Sequence, residues 1–188
     1  MTASAGRKFA FRAWLGIGLF AAFVLCAHAV GLRINESPSL PIGVWRIAPL
    51  RHEVRRDDIV SFCPPDTGVF REARLRGYLG SGLCEAGFEP LLKPVAAIEG
   101  DRVSRTDQGI RINRRLIVNS KSLLRDRLGR PLPSAGANDV IVAKGEVWVV
   151  SSYNPLSFDS RYFGPVPISK IEGLARPLFV MGPNRQSR

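Results

Sequence analysis

Hydrophobic positions along this chain form one long block followed by a series of short runs. The block reads AWLGIGLFAAFVLCAHAVGL, from Ala13 to Leu32, without a formal charge between Arg12 and Arg33. As a helix rising about 1.5 Å per residue, a run of this length covers ~30 Å, the thickness of a bilayer core. The pattern therefore predicts a transmembrane helix over 13–32. Arg7, Lys8 and Arg12 precede it with no acid among them. The positive-inside rule then leaves residues 1–12 as a basic cytoplasmic segment and puts the remainder outside. Ala27-His28-Ala29 also fits the small-x-small pattern of a cleaved leader. The length of the run favours a retained anchor, and either reading exports the rest of the chain.

The short runs are strand-like. They fall at Asp58–Phe62, Val95–Ile98, Gly109–Ile112, Arg115–Val118, Val140–Ala143, Glu146–Val150 and Gly173–Val180. Cys63-Pro64-Pro65, Glu99-Gly100-Asp101, Lys144-Gly145 and Gly164-Pro165 punctuate them. Little of this shows a sustained 3.6-residue period, so the exported part, 33–188, is expected to be mainly β. Lys144-Gly145 between two apolar runs reads as a tight hairpin turn, with Gly145 free to take positive φ. Residues 119–138 are polar and rich in Gly, Pro and Arg, the pattern of a long loop or insertion.

Composition narrows the picture. Gly 18 and Pro 14 in 188 residues are too many for a helix bundle and suit a turn-rich β domain. The formal net charge of +11 asks for an anionic neighbour, nucleic acid or a membrane surface. Export argues against nucleic acid, and no reading motif is present. Removing the three N-terminal charges leaves +8 outside, with Arg51, Arg55 and Arg56 near the anchor in sequence. Anionic lipid headgroups are their expected partner. Of three cysteines, Cys26 lies in the apolar block, while Cys63 and Cys84 lie in the exported part. Oxidation is favoured there, and a disulfide would contribute ~3 kcal/mol; two free buried thiols are the alternative.

Two histidines exclude most His-based catalysis and a His-built metal site. His28 falls in the apolar block, and His52 in a charged stretch. A Ser-Lys dyad is the common way to build a serine hydrolase without histidine. Three segments offer its parts. Asn35-Glu36-Ser37-Pro38-Ser39-Leu40-Pro41-Ile42-Gly43-Val44-Trp45 can hold a hydroxyl in a rigid turn, since Pro fixes φ. Lys93 stands among apolar residues in Leu91–Ile98. At a reference pKa near 10.4 only roughly one lysine in 2,500 is neutral at pH 7, so a lysine base must be desolvated. Ser157-Phe158-Asp159-Ser160-Arg161 offers a hydroxyl to orient an amine and an acid–base pair to brace it. Each segment alone also reads as an ordinary loop or strand edge.

Together, and in this order, the segments resemble the type I signal peptidases. Ser37-Pro38-Ser39-Leu40-Pro41 is similar to the nucleophile box, Lys93 with Gly100-Asp101-Arg102-Val103 to the lysine box, and Ser157–Arg161 to the last box. The nucleophile box departs from the housekeeping form, which has Met after the serine. It resembles instead the conjugative-transfer branch, Asn-x-Ser/Thr-x-Ser-x-Pro-x-Gly-x-aromatic, which Asn35, Ser37, Ser39, Pro41, Gly43 and Trp45 match. Cys63-Pro64-Pro65 and Arg76-Gly77-Tyr78-Leu79-Gly80 also look like that branch.

The resemblance implies a signal-peptidase-like antiparallel β domain behind an N-terminal transmembrane helix, facing the periplasm from a bacterial inner membrane. It implies Ser39 as nucleophile and Lys93 as general base. Ser37 is then an oxyanion donor and Ser157 orients Lys93, while Asp159 and Arg161 hold the surrounding loop. No cofactor or metal is needed. The implied partner is an exported, pilin-like precursor with a signal sequence, released by water or by its own amino terminus as a cyclic product. A housekeeping signal peptidase and a non-catalytic membrane-anchored assembly factor are the alternatives, and Ser37 is the alternative nucleophile.

Overall fold

The computed structural model describes residues 3–136 and 138–181, with side chains described from Phe11 onward, Ala13 excepted. Residues 1 and 2 of the expected cytoplasmic segment, 137 of the expected loop and 182–188 of the expected exported domain lie outside the described residues. Helix α1 spans Ala3–Ala29, passing without a break through the expected boundary at Arg12. Its end corrects the expected 13–32 helix. Gly31 turns the chain with positive φ, and Leu32 already belongs to a strand. Trp14, Phe20, Phe23 and Leu25 are exposed with nothing packed over them. Among the described residues, no helix is long and apolar enough to cross a membrane.

The strands are β1 (Leu32–Asn35), β2 (Ile42–Ala48), β3 (Ile59–Phe62), β4 (Leu91–Ala97), β5 (Arg102–Thr106) and β6 (Gly109–Ile112). They continue with β7 (Arg115–Leu116), β8 (Asp139–Ile141), β9 (Glu146–Val149), β10 (Val166–Pro167) and β11 (Ile171–Met181). Two short helices, α2 (Gly68–Leu75) and α3 (Ser160–Phe163), are inserted. The fold is mainly β, and every ladder is antiparallel. A large sheet runs β1-β2-β11-β3-β4-β9-β10, and a small one β7-β6-β5-β8.

The ladders correct the hairpin expected at Lys144-Gly145. Gly145 does take positive φ, at 79°. The flanking strands part company, however: β8 pairs with β5 in the small sheet and β9 with β4 in the large one. The turn passes the chain between sheets. Strand β5 escapes the apolar pattern because only Val103 of its five residues is buried. Helix α2 is too short for a period to show, burying only Phe70 and Ala73.

The main core gathers Val60, Phe62, Phe70, Val95, Val147 and Val149 under the large sheet. Within it Phe158 packs against Phe70, Tyr78, Tyr162 and Phe163, with ring centroids 5.4–6.2 Å apart. This aromatic cluster seats α2 on the sheet and fixes the backbone beside Ser157. Cys63 and Cys84 are joined in a disulfide that brackets α2. The described residues of 119–138 contribute no named strand, only an isolated bridge between Arg125 and Pro131.

Candidate active site

Strand β4 carries the lysine. Its burial alternates along Leu91, Lys93, Val95 and Ala97, so the period-2 pleat points Lys93 inward with three apolar neighbours. Lys93 is 3% exposed. Burial pushes its pKa from 10.5 down to about 8, an effect enlarged by Arg161 and opposed by Asp159 and Glu89.

The serine lies in the turn between β1 and β2. Asn35, buried at the end of β1, donates through Nδ2 to the carbonyls of Ser37, Leu40 and Pro41, at 3.0, 3.3 and 3.1 Å. Trp45 Nε1 reaches the Pro41 carbonyl from β2 at 3.1 Å. Gly43 is needed because β11 passes close behind: a Cβ there would sit 2.2 Å from the Phe179 carbonyl oxygen, with φ at +146°. Each fixed position of the motif thus shapes the turn that presents Ser39.

The two elements meet. Lys93 Nζ lies 2.7 Å from Ser39 Oγ and 3.1 Å from Ser157 Oγ. Ser37 Oγ is 3.1 Å from Ser39 Oγ and accepts the Ser39 backbone N–H at 3.3 Å. Asp159 and Arg161 stand behind Ser157 as a fully buried bidentate pair, both contacts at 2.8 Å. The remaining Arg161 hydrogens go to carbonyls: Nη2 to Ser157, and Nη1 to Asn119, Lys121 and Pro155. The buried guanidinium is therefore satisfied, and it ties the base of the 119–138 segment to the Ser157 loop.

All six residues named from the sequence thus lie in one cluster. Gly100-Asp101-Arg102 does not join it. Asp101 accepts from Arg56, Asn113 and the Ile98 N–H, bracing the strand turn. Sequence reasoning missed Ser151, which donates to the Ser39 carbonyl at 2.5 Å. A Ser-Ser pair after an apolar strand carries no signal that would have found it.

A cleft of about 420 Å³ opens over the dyad, lined by Ser37, Ser39, Lys93, Tyr78, Leu123 and Asp126 among others. Tyr78 Oη donates to Asp126 at 2.5 Å, and Arg130 Nε reaches the same carboxylate at 2.6 Å, so the 119–138 segment is latched to the wall opposite. Hydrogen bonds from Tyr78 and Arg130 hold Asp126 well below the usual carboxylate range. Cys63, Cys84 and Glu172 lie within ligand distance of one another, but the disulfide removes both thiolates a metal would need.

The site therefore holds a buried lysine against a serine on a β scaffold, and the comparisons with known proteins define the class as a peptidase. Residues 7–180 match the family described as signal peptidase, peptidase S26, and the chain belongs to that family. Within it the chain falls in the branch of the TraF conjugal-transfer proteins. It is 45% identical to a conjugal transfer protein TraF of Agrobacterium tumefaciens, over 86% of this chain and 90% of the relative. It is 38% identical to a plasmid transfer protein TraF of Escherichia coli, over 84% and 89%. A signal peptidase I crystal structure from Enterococcus faecalis overlaps at a TM-score of 0.35 and 22% identity, covering 65% of this chain and 97% of that one. That overlap adds nothing to the assignment.

Proposed function

We propose that this chain is a membrane-anchored serine endopeptidase whose Ser39–Lys93 dyad removes signal sequences from exported precursors, in the first instance a conjugative pilin. The observation that carries the reading is the 2.7 Å approach of a desolvated lysine amine to a serine hydroxyl. While Lys93 is charged, its ammonium donates to both Ser39 and Ser157. Once it is neutral, the Ser39 hydroxyl donates to the Nζ lone pair instead, and Ser157 keeps the amine aimed. Lys93 takes the proton as Ser39 Oγ attacks the scissile carbonyl, then delivers it to the leaving amine. The Ser39 N–H and the Ser37 hydroxyl, now bonded to each other's residue, turn to the developing oxyanion; one such donor is worth ~3 kcal/mol. The acyl-enzyme on Ser39 is released by water or by the precursor's own amino terminus, which gives a cyclic product.

The enzyme is single-pass in a bacterial inner membrane, with the catalytic domain in the periplasm and residues 1–12 in the cytoplasm. The uncharged run 13–32 and the bare apolar side chains of α1 support this. Arg51, Arg55 and Arg56 face anionic lipid headgroups. Backbone groups of Leu91–Lys93 pair only with β3 before β9 joins at Val95, which leaves an edge to which an extended precursor adds.

Mass spectrometry of a candidate pilin incubated with the full chain tests the reading. Cleavage that disappears with Ser39→Ala and with Lys93→Ala is expected, and the product mass separates linear from cyclic. Full processing by Ser39→Ala would overturn the assignment.

A further inference from the structure

We infer that Ser151 is a positioning residue that holds the Ser39 peptide so that Oγ stays within reach of Lys93. This rests on the reading of Ser39 as nucleophile. Ser151 follows β9 and is completely buried. Its hydroxyl has a single hydrogen, and that hydrogen is committed to the Ser39 carbonyl at 2.5 Å. The hydroxyl oxygen accepts the Tyr153 N–H at 3.2 Å, so its rotation is fixed. The Ser151 N–H goes to Asp159 Oδ2 at 3.0 Å.

These bonds close a circuit. From the Ser39 carbonyl it runs through Ser151 to Asp159 and across the ion pair to Arg161. From Arg161 Nη2 it passes to the Ser157 carbonyl, then from Ser157 Oγ to Lys93 and back to Ser39 Oγ. Both members of the dyad are therefore referenced to one buried ion pair, Lys93 through Ser157 and Ser39 through Ser151. The two tethers have separable consequences. The one at Ser157 touches the amine that titrates. The one at Ser151 touches only the nucleophile's backbone: its bonds go to the Ser39 carbonyl, the Tyr153 N–H and Asp159, and none reaches Lys93.

The test is the pH profile of the full chain in detergent micelles, with a fluorogenic peptide carrying Ala-x-Ala before the cleaved bond, at a temperature well below the Tm of each variant. Ser151→Ala is expected to lower the kcat plateau about 10- to 100-fold, as a misplacement of order 1 Å does. KM should stay within about twofold and the acid-limb midpoint should not move. Ser151→Thr, which restores the hydroxyl, should recover most of the loss. Should Ser151→Ala fail to fold, Ser151→Cys keeps the shape with a weaker donor and should show a reduced plateau at the same midpoint. A wild-type plateau from either folded variant overturns the inference, as does a loss confined to KM or accompanied by a shifted midpoint. Wild-type turnover by Ser39→Ala in the same assay would instead overturn the nucleophile reading itself.

Discussion

Two aspartates in this domain each gather hydrogen bonds from an arginine and from backbone, yet they sit in different regions. Asp159 is fully buried beneath the dyad, and its Arg161 partner is equally buried. Asp101 is buried in the β4–β5 turn, but its Arg56 partner is half exposed. The Arg56 guanidinium, with help from the Ile98 N–H and Asn113, holds the Asp101 carboxyl down at about 2. The chemistry is the same; the surroundings differ. Asp159 and Arg161 are closed off from the solvent that could replace a lost partner, and Lys93 and Ser39 are both tied to the pair. Around Asp101 solvent can rehydrate the arginine, and nothing reactive depends on it. A buried ion pair is therefore weak as a source of net stability and strong as a fixed reference for a site.

Variants at the two aspartates and their neighbours test that contrast, and the largest effects are expected at Ser39 and Lys93. Lys93→Met should abolish cleavage while raising stability at pH 7, because the charged lysine is held about 8 against an ordinary 10.5. The sign follows from proton counts. Between those two values the unfolded chain binds more protons than the folded one, so stability rises with pH there. Below about 8 the folded protein carries the full penalty, of order 3 kcal/mol. Denaturant melts of wild type and Lys93→Met at pH 7 and pH 10 check this, with the gap narrowing at the higher pH.

Asp159→Ala comes next. It strands the Arg161 charge, and a loss of about 3–5 kcal/mol is expected together with loss of activity, read from urea midpoints and peptide turnover. Reduction of Cys63–Cys84 should cost ~3 kcal/mol by releasing the loop that carries α2, visible as a lower Tm under reductant. Asp101→Asn should cost only about 1–2 kcal/mol and leave kcat unchanged below its Tm. The Asp101 contribution is present above the unfolded carboxyl pKa of about 3.9 and should fade as pH falls toward 2. Arg71→Ala, which removes an exposed pair with Asp66, should leave Tm unchanged.

The legibility of this fold and site in the sequence divides along the same line. The meeting of Lys93 with Ser39 was readable because these residues are chemically odd where they stand: a lysine in an apolar run, and serines locked by Pro and Gly. The period-2 pattern of Leu91, Lys93, Val95 and Ala97 even contains the inward direction of Lys93. Partner choice was not readable. Alternation around Lys144-Gly145 announces two strands but does not say that they join different sheets. Strand β5, polar on one face, and the four-residue α3 leave almost no periodic trace. Ser151 was invisible because its role depends on a carbonyl 112 residues earlier in the chain.

Everything proposed for the site follows from acylation of Ser39 with a desolvated Lys93 as its base. Intact-mass detection of the acyl-enzyme, followed by peptide mapping across a pH series, reads that step itself. An adduct on Ser39 is expected, with a formation rate that climbs with pH to a plateau above about 8, and no adduct in Lys93→Met. An adduct on Ser37, or acylation of Ser39 that is indifferent to pH and to the loss of Lys93, would contradict it.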